Sequence, residues 1–416
     1  MITKPPGIED IFPDKIEKWN HVLQTAKNIF ALYNFKEIII PILEFTEVFS
    51  RGLGTSTDIV SKEMFSFQDR GQRDLTLRPE GTASVVRAFV ENGEYNRLAL
   101  NKFFYYGPMF RAEKPQKGRL RQFNQFGAEV FGSLDPFYDF EIISLINFIS
   151  QKIKIPTYTI LLNSIGCLKC RPEFIKNLSS YYKQHQQELC PDCQKRLESN
   201  PLRLLDCKNK SCQNLKKDAP KINRFICKEC QVHYQTVKKY LSEQKISYKE
   251  DPCLVRGLDY YTKTTFEFIT DQLGGQNAFA AGGRYDNLVE QFQGQPTPAV
   301  GFAAGLERIL LLIDDQHIPQ TSLDVFIIHN GDKSLEIALK ILDLLRKNNF
   351  KVDLDPSHNN FKPQFKKADR EKSKFALIIG EEEIKTKTFS LKNLQSGQQE
   401  SVETDKIIDY LKKKEI

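Results

Sequence analysis

Apolar residues recur at helical spacing near the start of the chain. Trp19, Val22 and Ile29 belong to a set of apolar positions that repeats every three or four residues, which predicts an amphipathic helix over residues 15–33. A second such helix is predicted for residues 137–152. Short apolar runs beside glycine, proline or charged residues predict strands. The predicted strands are residues 37–40, 103–106, 125–131, 158–162 and 265–268, with a further strand-like stretch near Leu254.

Strands and helices alternate in the last third of the chain, after a short polar stretch at residues 316–321. Strands are predicted for residues 324–328, 350–354 and 375–379. Helices are predicted for residues 334–347, 361–372 and 404–413. This alternation is typical of a small α/β domain.

A cysteine-rich block separates these two regions, because eight of the nine cysteines lie between Cys167 and Cys230. We interpret the block as an insertion into the first domain. The predicted organisation is a core in two parts, residues 1–163 and 244–316, an insertion at residues 164–243, and a C-terminal domain at residues 322–416.

Composition limits the classes of protein that the chain can belong to. Hydrophobic residues make up 40% and charged residues 27% of its 416 residues, the balance of a soluble globular protein. No stretch approaches the roughly 18 apolar residues of a membrane helix, and residues 1–10 lack the apolar centre of a signal peptide. We therefore expect a cytoplasmic protein with no membrane contact. The net charge of +7 permits an anionic partner without requiring one.

Four segments combine arginines and carboxylates with glycine or proline in a way that a plain core does not need. They are residues 77–82, 106–129, 254–261 and 281–308. Arginine binds phosphate through planar, charge-assisted hydrogen bonds. A lone arginine is more often a surface residue, but three in such segments indicate a triphosphate site that neutralises charge as the triphosphate reacts. These three are Arg111, Arg256 and Arg308.

Residues 125–130 alternate between polar and apolar side chains, as a strand with two different faces does. Phe126, Ala128 and Val130 suit the core. The opposite face carries Gln125 and Glu129, with a glycine between them that leaves room, and is predicted to line a cavity.

These segments resemble the motifs of class II aminoacyl-tRNA synthetases. Residues 110–113 (FRAE) resemble motif 2, residues 301–308 resemble motif 3, and the strand at residues 38–41 resembles motif 1. Residues 254–261 and 281–286 resemble the two peptides that distinguish the histidyl enzymes within this class. The similarity covers nearly the whole chain. The chain therefore resembles the histidyl-tRNA synthetase family.

The resemblance implies an α+β fold. Its core is an antiparallel sheet flanked by helices, with the insertion packed over the acceptor arm of tRNA and a C-terminal α/β domain that binds the anticodon. Motif 1 contributes to a dimer interface in this class, so a homodimer is expected. The implied reaction activates L-histidine with ATP and transfers it to the terminal adenosine of tRNA(His), with Mg²⁺ accompanying the β- and γ-phosphates.

The resemblance also implies roles for individual side chains. The α-ammonium of histidine is implied to be bound by Glu80, Thr82 and Gln125. The imidazole is implied to be bound by Glu129 and Tyr261, because the two imidazole nitrogens need a donor and an acceptor. Tyr285 is implied to help close this pocket. ATP is implied to be bound by Arg111 at its α-phosphate and by Arg308 at its γ-phosphate. Glu113 is a further implied ATP-binding residue. Arg256 and Arg111 are the implied catalytic residues, with Arg256 between the histidine carboxylate and the α-phosphate. The implied tRNA contacts are Gln116, Arg119 and Arg121, in a loop that also holds Lys117.

The spacing of the cysteines predicts structural zinc at one or two sites. In a cytoplasmic enzyme thiolate ligands are favoured over disulfides. The candidate ligands are Cys167, Cys170, Cys190, Cys193, Cys207, Cys212, Cys227 and Cys230. Pairing of consecutive CxxC-like motifs is the simplest arrangement, but an interleaved one would be equally tetrahedral, and His233 is close enough to replace a ligand. Cys253 is expected to be a small buried core residue.

Two other functions compete with the ligase. One is a catalytically silent paralogue that regulates histidine biosynthesis, and the other is a zinc-dependent nucleic-acid-binding module with a decayed core. The presence of Glu80, Arg111, Arg256 and Arg308, together with the C-terminal domain, favours the ligase. Both alternatives predict no ATP–pyrophosphate exchange.

Overall fold

The computed structural model describes residues 1–54, 57–116, 118–275, 277–319 and 322–414. Lys117 therefore lies outside the described residues. The same holds for residues 320 and 321 of the polar stretch and for residues 415 and 416 of the predicted C-terminal domain. The chain forms two compact units, Met1–Ile318 and Pro319–Ile416. Within the described residues, no helix is long and apolar enough to cross a membrane.

The first unit contains eleven named strands and ten α-helices among the described residues. Its strands are β1 Lys36–Glu37, β2 Leu43–Phe45, β3 Phe65–Gln68, β4 Asp74–Leu77, β5 Asn101–Phe110, β6 Gln122–Phe131, β7 Thr159–Ser164, β8 Lys249–Glu250, β9 Thr262–Ile269, β10 Ala278–Arg284 and β11 Ala299–Gly305. Its helices are α1 Pro13–Leu32, α2 Thr46–Leu53, α3 Thr82–Glu91, α4 Pro136–Lys152, α5 Arg171–Gln184, α6 Pro191–Ser199, α7 Lys210–Asp218, α8 Lys228–Glu243, α9 Leu288–Gln291 and α10 Leu306–Leu310.

An eight-stranded sheet with the order β1-β5-β6-β11-β10-β9-β7-β8 organises this unit. Its central strands are antiparallel, and only the short edge strands β1 and β8 pair in parallel with their neighbours. Strands β2, β4 and β3 form a separate small sheet. The predicted antiparallel sheet flanked by helices is confirmed.

Strand β6 has the two faces that its sequence predicts. Phe126, Ala128 and Val130 are buried in a core that also contains residues of α1 and α4. Alternation places Gln125 and Glu129 on the opposite face.

Two strand predictions were wrong in extent. The strand predicted at residues 37–40 pairs with β5 only at Lys36 and Glu37, with one further bond from Ile38 N to Phe104 O at 2.9 Å. The chain then leaves the sheet, because Pro41 has no N–H to donate and Ile39 is 89% exposed. The stretch near Leu254 forms no strand, since its carbonyl accepts a bond from the Asn163 side chain at 2.9 Å.

The insertion consists of helices α5 to α8, joined by short connections that include the 3₁₀ helix Pro201–Asp206. Its last helix is fixed to the core by a buried ionic group. Asp139 of α4 accepts hydrogen bonds from Arg284 of β10 and lies 3.1 Å from His233 Nε2 of α8. Arg284 and Asp139 are both fully buried, so this pair anchors the end of the insertion.

The second unit confirms the predicted α/β alternation. It contains β12 Val325–His329, α11 Asp332–Lys347, β13 Val352–Leu354, α12 Phe361–Arg370, β14 Phe375–Ile379, α13 Glu381–Thr386, β15 Thr388–Asn393, β16 Gln399–Glu403 and α14 Ile407–Lys413. Its sheet has the order β13-β12-β14-β15-β16, parallel across the first three strands and antiparallel beyond. Ala338 and Leu345 of α11 belong to the core on one side of this sheet, and Ala368 of α12 belongs to the other.

Candidate active site

A cavity of about 770 Å³ opens on the first unit, over the polar face of β6 and between the core and the insertion. Most of the predicted site residues contribute to its wall. These are Glu80, Thr82, Arg111, Glu113, Arg119, Gln125, Arg256, Tyr261 and Arg308. Glu129 and Tyr285 lie one layer below the wall, where both are fully buried or nearly so.

Glu129 is the centre of a buried hydrogen-bonded cluster beneath the cavity. Its Oε1 accepts bonds from Thr82 Oγ1 at 2.7 Å and from Tyr105 OH at 3.3 Å, and its Oε2 accepts one from Tyr285 OH at 2.5 Å. Burial raises the pKa of the Glu129 carboxyl to about 8, although these hydroxyls oppose the shift. Each carboxylate oxygen accepts about two hydrogen bonds, so Oε2 keeps one acceptor position for a further donor.

The strand next to Glu129 leaves no room for a side chain. A Cβ at Gly301 of β11 would lie 1.6 Å from Glu129 Oε2 and 2.6 Å from the carbonyl oxygen of Ala128. Glycine at this position is therefore a condition for burying the carboxylate.

Gly301→Ala is expected to lower the free energy of unfolding by about 1–3 kcal/mol, as overpacking a filled core does. Urea denaturation of wild type and variant would measure this decrease in the free energy of unfolding. Gly305→Ala on the same strand is the matched control, because a Cβ there would meet only the Arg308 side chain at 3.7 Å or beyond. Equal midpoints for the two variants would contradict the steric argument.

The titration of Glu129 gives a second prediction. A carboxyl with a pKa of 4.5 in the unfolded chain and about 8 in the folded one takes up a proton on folding. Its contribution to stability is therefore complete below about pH 4.5 and is lost as the pH rises through about 8. Glu129→Gln removes this titration, so wild type should become less stable relative to the variant between pH 5 and pH 9. Thermal melts at both values test this, and a gap independent of pH would refute it.

Acceptor groups cluster at the end of the cavity near the start of α3. Glu80 accepts the backbone N–H groups of Thr82 at 2.8 Å and Ala83 at 2.7 Å, which caps the helix. Burial nevertheless raises the pKa of the Glu80 carboxyl. Gln125 Oε1 is buried and has no hydrogen-bond partner among the described residues. A buried acceptor of this kind is costly unless a ligand supplies a donor, so this end suits a cation such as an ammonium group.

Three arginines form another part of the cavity wall, namely Arg111, Arg119 and Arg308. Arg111 donates from Nε to Pro79 O at 2.9 Å and lies over the Phe123 ring at 5.1 Å. Arg308 donates to Gly118 O at 2.9 Å and to Ala278 O at 2.7 Å. Burial, together with Arg111 and Arg119 nearby, lowers the pKa of Arg308 to about 10. Buried cations that repel one another are relieved by an anion, so this part suits a polyphosphate.

Arg256 also lines the cavity, with its guanidinium 5.9 Å from the centre of the Tyr261 ring, and it pairs with Glu267 of β9. Burial opposes its charge, but Glu267 outweighs burial and raises the pKa of Arg256 above its ordinary value. Arg256 Nε is buried and makes no hydrogen bond within the described residues. This N–H is available to a ligand in the cavity.

The predicted tRNA-contacting residues lie in the loop between β5 and β6. Gln116 and Arg119 exchange backbone hydrogen bonds at 3.0 and 2.9 Å, which forms the tip of the loop. Both residues line a second, open pocket of about 500 Å³, next to Lys62 and Lys114. Arg121 is not on the cavity wall, because its Nε donates to Glu113 O at 3.1 Å.

Sequence reasoning missed several residues of the site. Tyr105 was treated only as part of a strand, yet it pairs with Gly127 across the hairpin and reaches Glu129. Glu267 is a single carboxylate within the apolar run of β9, a signal that indicates a buried partner. Asp58 and Arg203, which also line the cavity, carry no comparable signal.

The eight cysteines of the insertion form two groups of four, and each group suits a tetrahedral metal. In each, the sulfurs lie within 4.8 Å of one another, and the groups are Cys167, Cys170, Cys227, Cys230 and Cys190, Cys193, Cys207, Cys212. Zn–S bonds of about 2.3 Å in a tetrahedron place sulfurs about 3.8 Å apart. The measured Sγ–Sγ distances are 3.7 Å for Cys167–Cys170, 3.9 Å for Cys167–Cys227 and for Cys170–Cys230, and 3.8 Å for Cys190–Cys207. We call the group with Cys167 and Cys227 the outer cysteine group, and the group with Cys190 and Cys207 the inner cysteine group.

The pairing of the cysteine motifs differs from the simplest prediction. The first pair joins the last, and the second joins the third, so consecutive pairing is wrong and strict interleaving is not formed either. His233 is not a candidate ligand, because it bonds to Asp139 instead. Cys253 is buried in the core as expected, with Lys221 Nζ 3.2 Å from its sulfur.

The antiparallel sheet with its arginine-lined cavity, and a separate α/β unit in the same chain, are the features of a class II aminoacyl-tRNA synthetase. The model of the histidyl-tRNA synthetase family matches residues 7–309, and that of an anticodon-binding domain matches residues 324–414. The chain belongs to the histidyl-tRNA synthetase family.

Curated relatives match along their whole length. A histidine–tRNA ligase of Halothermothrix orenii is 44% identical over 415 residues, which is 99% of each chain. One of Moorella thermoacetica is 43% identical, over 99% of this chain and 98% of its own.

Solved structures agree with this family. The apo histidyl-tRNA synthetase of S. aureus has a TM-score of 0.84 at 36% identity and covers 99% of this chain and 100% of its own. A Bacillus halodurans protein described as an ATP phosphoribosyltransferase regulatory subunit/histidyl-tRNA synthetase has a TM-score of 0.66 at 19% identity, covering 91% and 98%. The latter likeness shows the shared fold alone.

Proposed function

We propose that the chain activates L-histidine with ATP and transfers it to the terminal adenosine of tRNA(His). The observation that carries this proposal is a single cavity whose wall holds both buried acceptor groups and several arginines, with Arg256 among its lining residues. An amino acid and a nucleoside triphosphate need these two environments side by side.

Histidine occupies the part of the cavity with the acceptor groups. Its α-ammonium is held by Glu80, Thr82 and Gln125, whose Oε1 otherwise has no partner among the described residues. One imidazole N–H takes the remaining acceptor position on Glu129 Oε2, which explains why a carboxylate is buried there. Tyr261 meets the other side of the ring, and Tyr285 orients Glu129 through its 2.5 Å hydrogen bond. Amino acids that leave these buried groups unpaired are rejected.

ATP occupies the part of the cavity lined by the arginines. Arg111 binds the α-phosphate and Arg308 the γ-phosphate. Glu113 contributes to the ATP site, and its carboxylate offers the oxygen donors that Mg²⁺ prefers. Mg²⁺, when bound with ATP, neutralises charge on the β- and γ-phosphates.

The reaction has two displacements. In the first, a histidine carboxylate oxygen attacks the α-phosphorus, and the bond from that phosphorus to the β-phosphate oxygen breaks, releasing pyrophosphate. Arg256 and Arg111 stabilise the charge that develops at this centre. In the second, a ribose hydroxyl of the terminal adenosine attacks the activated carbonyl, and AMP leaves. No enzyme nucleophile is needed, so positioning and electrostatics carry the catalysis.

Transfer requires contacts with tRNA beyond the cavity. The loop between β5 and β6, which carries Gln116, Arg119 and Arg121, approaches the acceptor end, where cations and amides suit phosphate oxygens. The α/β unit binds the anticodon, supported by the match of residues 324–414 to an anticodon-binding domain.

Zinc completes the cysteine-rich insertion. The sulfur separations in both groups agree with tetrahedral Zn–thiolate sites, so we assign one structural zinc to each. The zinc-bound thiolates fit a reducing compartment, which supports a cytoplasmic location.

The helices α5 to α8 between two parts of the main sheet, and the separate match of residues 324–414, support the proposed division of the chain. Residues 1–163 and 244–316 form the catalytic core, residues 164–243 the insertion, and residues 322–416 the anticodon-binding domain. A homodimer is supported by exposed apolar side chains around the motif 1 segment. These are Ile39, Ile42, Leu43, Phe45 and Phe67.

Transfer of radiolabelled histidine to tRNA(His) by the purified protein tests the whole proposal. We expect acid-precipitable histidine whose formation depends on ATP and on the tRNA. We expect no incorporation when another radiolabelled amino acid replaces histidine. A protein that forms the adenylate but never charges tRNA would refute the transfer step.

A further inference from the structure

Residues of the insertion form part of the wall of the substrate cavity. They come from a single stretch between the second and third cysteine pairs and include two members of the inner cysteine group. These wall residues include Cys190, Asp192, Arg196, Arg203, Cys207 and Lys208. Members of the outer cysteine group are not on this wall.

The inner cysteine group closes this stretch into a loop. Cys190 directly precedes α6 and Cys193 lies within it, whereas Cys207 ends the 3₁₀ helix Pro201–Asp206. The sulfurs of Cys190 and Cys207, seventeen positions apart in sequence, are separated by 3.8 Å. A metal at this group therefore fixes both ends of the segment that carries Arg196, Asn200 and Arg203.

Polar contacts attach the closed loop to the core. Asp58, on the wall of the cavity, accepts hydrogen bonds from Arg196 Nη2 at 2.8 Å and from Arg203 Nη2 at 3.3 Å. Asn200 Nδ2 donates to Asp259 Oδ1 at 2.6 Å. Asp259 belongs to the same peptide as Arg256, so the loop contacts the segment that carries the catalytic arginine.

Arg203 makes the closest approach to that segment. Only 9% of Arg203 is exposed, and a Cβ at Gly257 would lie 3.1 Å from its Nη1. Arg203 Nη1 therefore approaches the backbone of the residue next to Arg256. Nη1 also lies 3.5 Å from Asp206 Oδ2. Because most of the Arg203 guanidinium is buried and its Nη2 is held by Asp58, its contact restricts the movement of this peptide.

We propose that Arg203 is a positioning residue for histidine activation. Held by the inner cysteine group, it fixes the Arg256–Gly257 backbone so that the Arg256 guanidinium meets the histidine carboxylate and the α-phosphate. This inference rests on the proposed function, because it acts through the role assigned to Arg256. It gives the insertion a part in the first chemical step, apart from any contact with tRNA.

The experiment compares Arg203→Met and Arg203→Lys with wild type in ATP–pyrophosphate exchange, without tRNA. Arg203→Met is expected to lower kcat by about 10- to 100-fold, the effect of misplacing a catalytic group by about 1 Å, with the KM for histidine little changed. Arg203→Lys, which keeps the charge but loses the planar fork, should recover part of kcat. Zinc content and thermal midpoint are measured alongside. Arg224→Met, at an exposed position elsewhere in the insertion, is the matched control and should equal wild type.

The outcomes separate the two proposals. An active wild type and an Arg203→Met variant with full zinc and unchanged kcat would overturn the role of Arg203 alone. A wild type without exchange would overturn the proposed function first. If Arg203→Met loses zinc, the lysine variant decides, because wild-type kcat in that variant would show that the planar guanidinium is dispensable.

Discussion

Arg256→Met is expected to lower kcat for histidine-dependent ATP–pyrophosphate exchange by about 100- to 1000-fold, the usual cost of removing one donor that stabilises a developing charge. The side chain is part-buried beside Glu267, and its Nε has no protein partner among the described residues. In the transition state this N–H meets an anionic substrate. Because the interaction strengthens as charge develops, kcat should fall more than the KM for histidine rises.

Two variants make this result interpretable. Arg256→Lys keeps the charge but not the planar fork and should recover only part of the activity. Arg97→Met removes an arginine of equal size from the surface, where 69% of its side chain is exposed, and should leave exchange unchanged. A folded Arg256→Met protein within threefold of wild-type kcat would remove Arg256 from the mechanism.

Removal of zinc is expected to unfold helices α5 to α7 of the insertion. Structural zinc contributes about 10–16 kcal/mol of apparent binding free energy in zinc-finger peptides, and a preformed site seldom exists without the metal. The buried residues of α5 to α7 belong to the same cluster as Cys193 and Cys212, whereas Tyr234, Val237 and Leu241 of α8 pack into the core around the main sheet. The purified protein should contain two zinc ions per chain, and chelation should reduce its helical circular dichroism and its protection from proteolysis at residues 171–218.

The second unit provides an internal control for this result. Residues 325–413 have their own sheet and core and contain no cysteine. Protection of their amides from hydrogen exchange should therefore survive chelation. A protein purified without metal that keeps all its helical signal would contradict the assignment of zinc.

The sequence predicts the parts of the fold that local patterns determine. Alternation along residues 125–130 correctly separates the core face of β6 from its polar face, because a strand has a side-chain period of two. The helix of residues 13–32 and the α/β alternation of the second unit follow in the same way. The arginines Arg111, Arg256 and Arg308 were found because glycine and proline surround them, and the structure brings all three to one cavity.

The features that sequence reasoning missed depend on contacts between distant residues. The pairing of cysteines joins Cys167 to Cys227, sixty positions away, and spacing alone cannot distinguish that arrangement from consecutive pairing. The contact of Arg203 with Asp58 likewise joins the insertion to the core across 145 positions. Strand β1 is shorter than predicted because Pro41 cannot donate to the sheet, and the pattern alone does not show that Ile39 is exposed while Ile40 beside it is buried.

ATP–pyrophosphate exchange, assayed with each standard amino acid in turn, measures directly which amino acid the protein activates. We expect exchange with histidine alone, because only an imidazole satisfies Glu129 and the hydroxyls around it. Absence of exchange from a folded, zinc-replete protein would contradict the ligase assignment and favour a regulatory paralogue. Exchange with several amino acids would contradict the roles assigned to Glu129, Tyr261 and Tyr285.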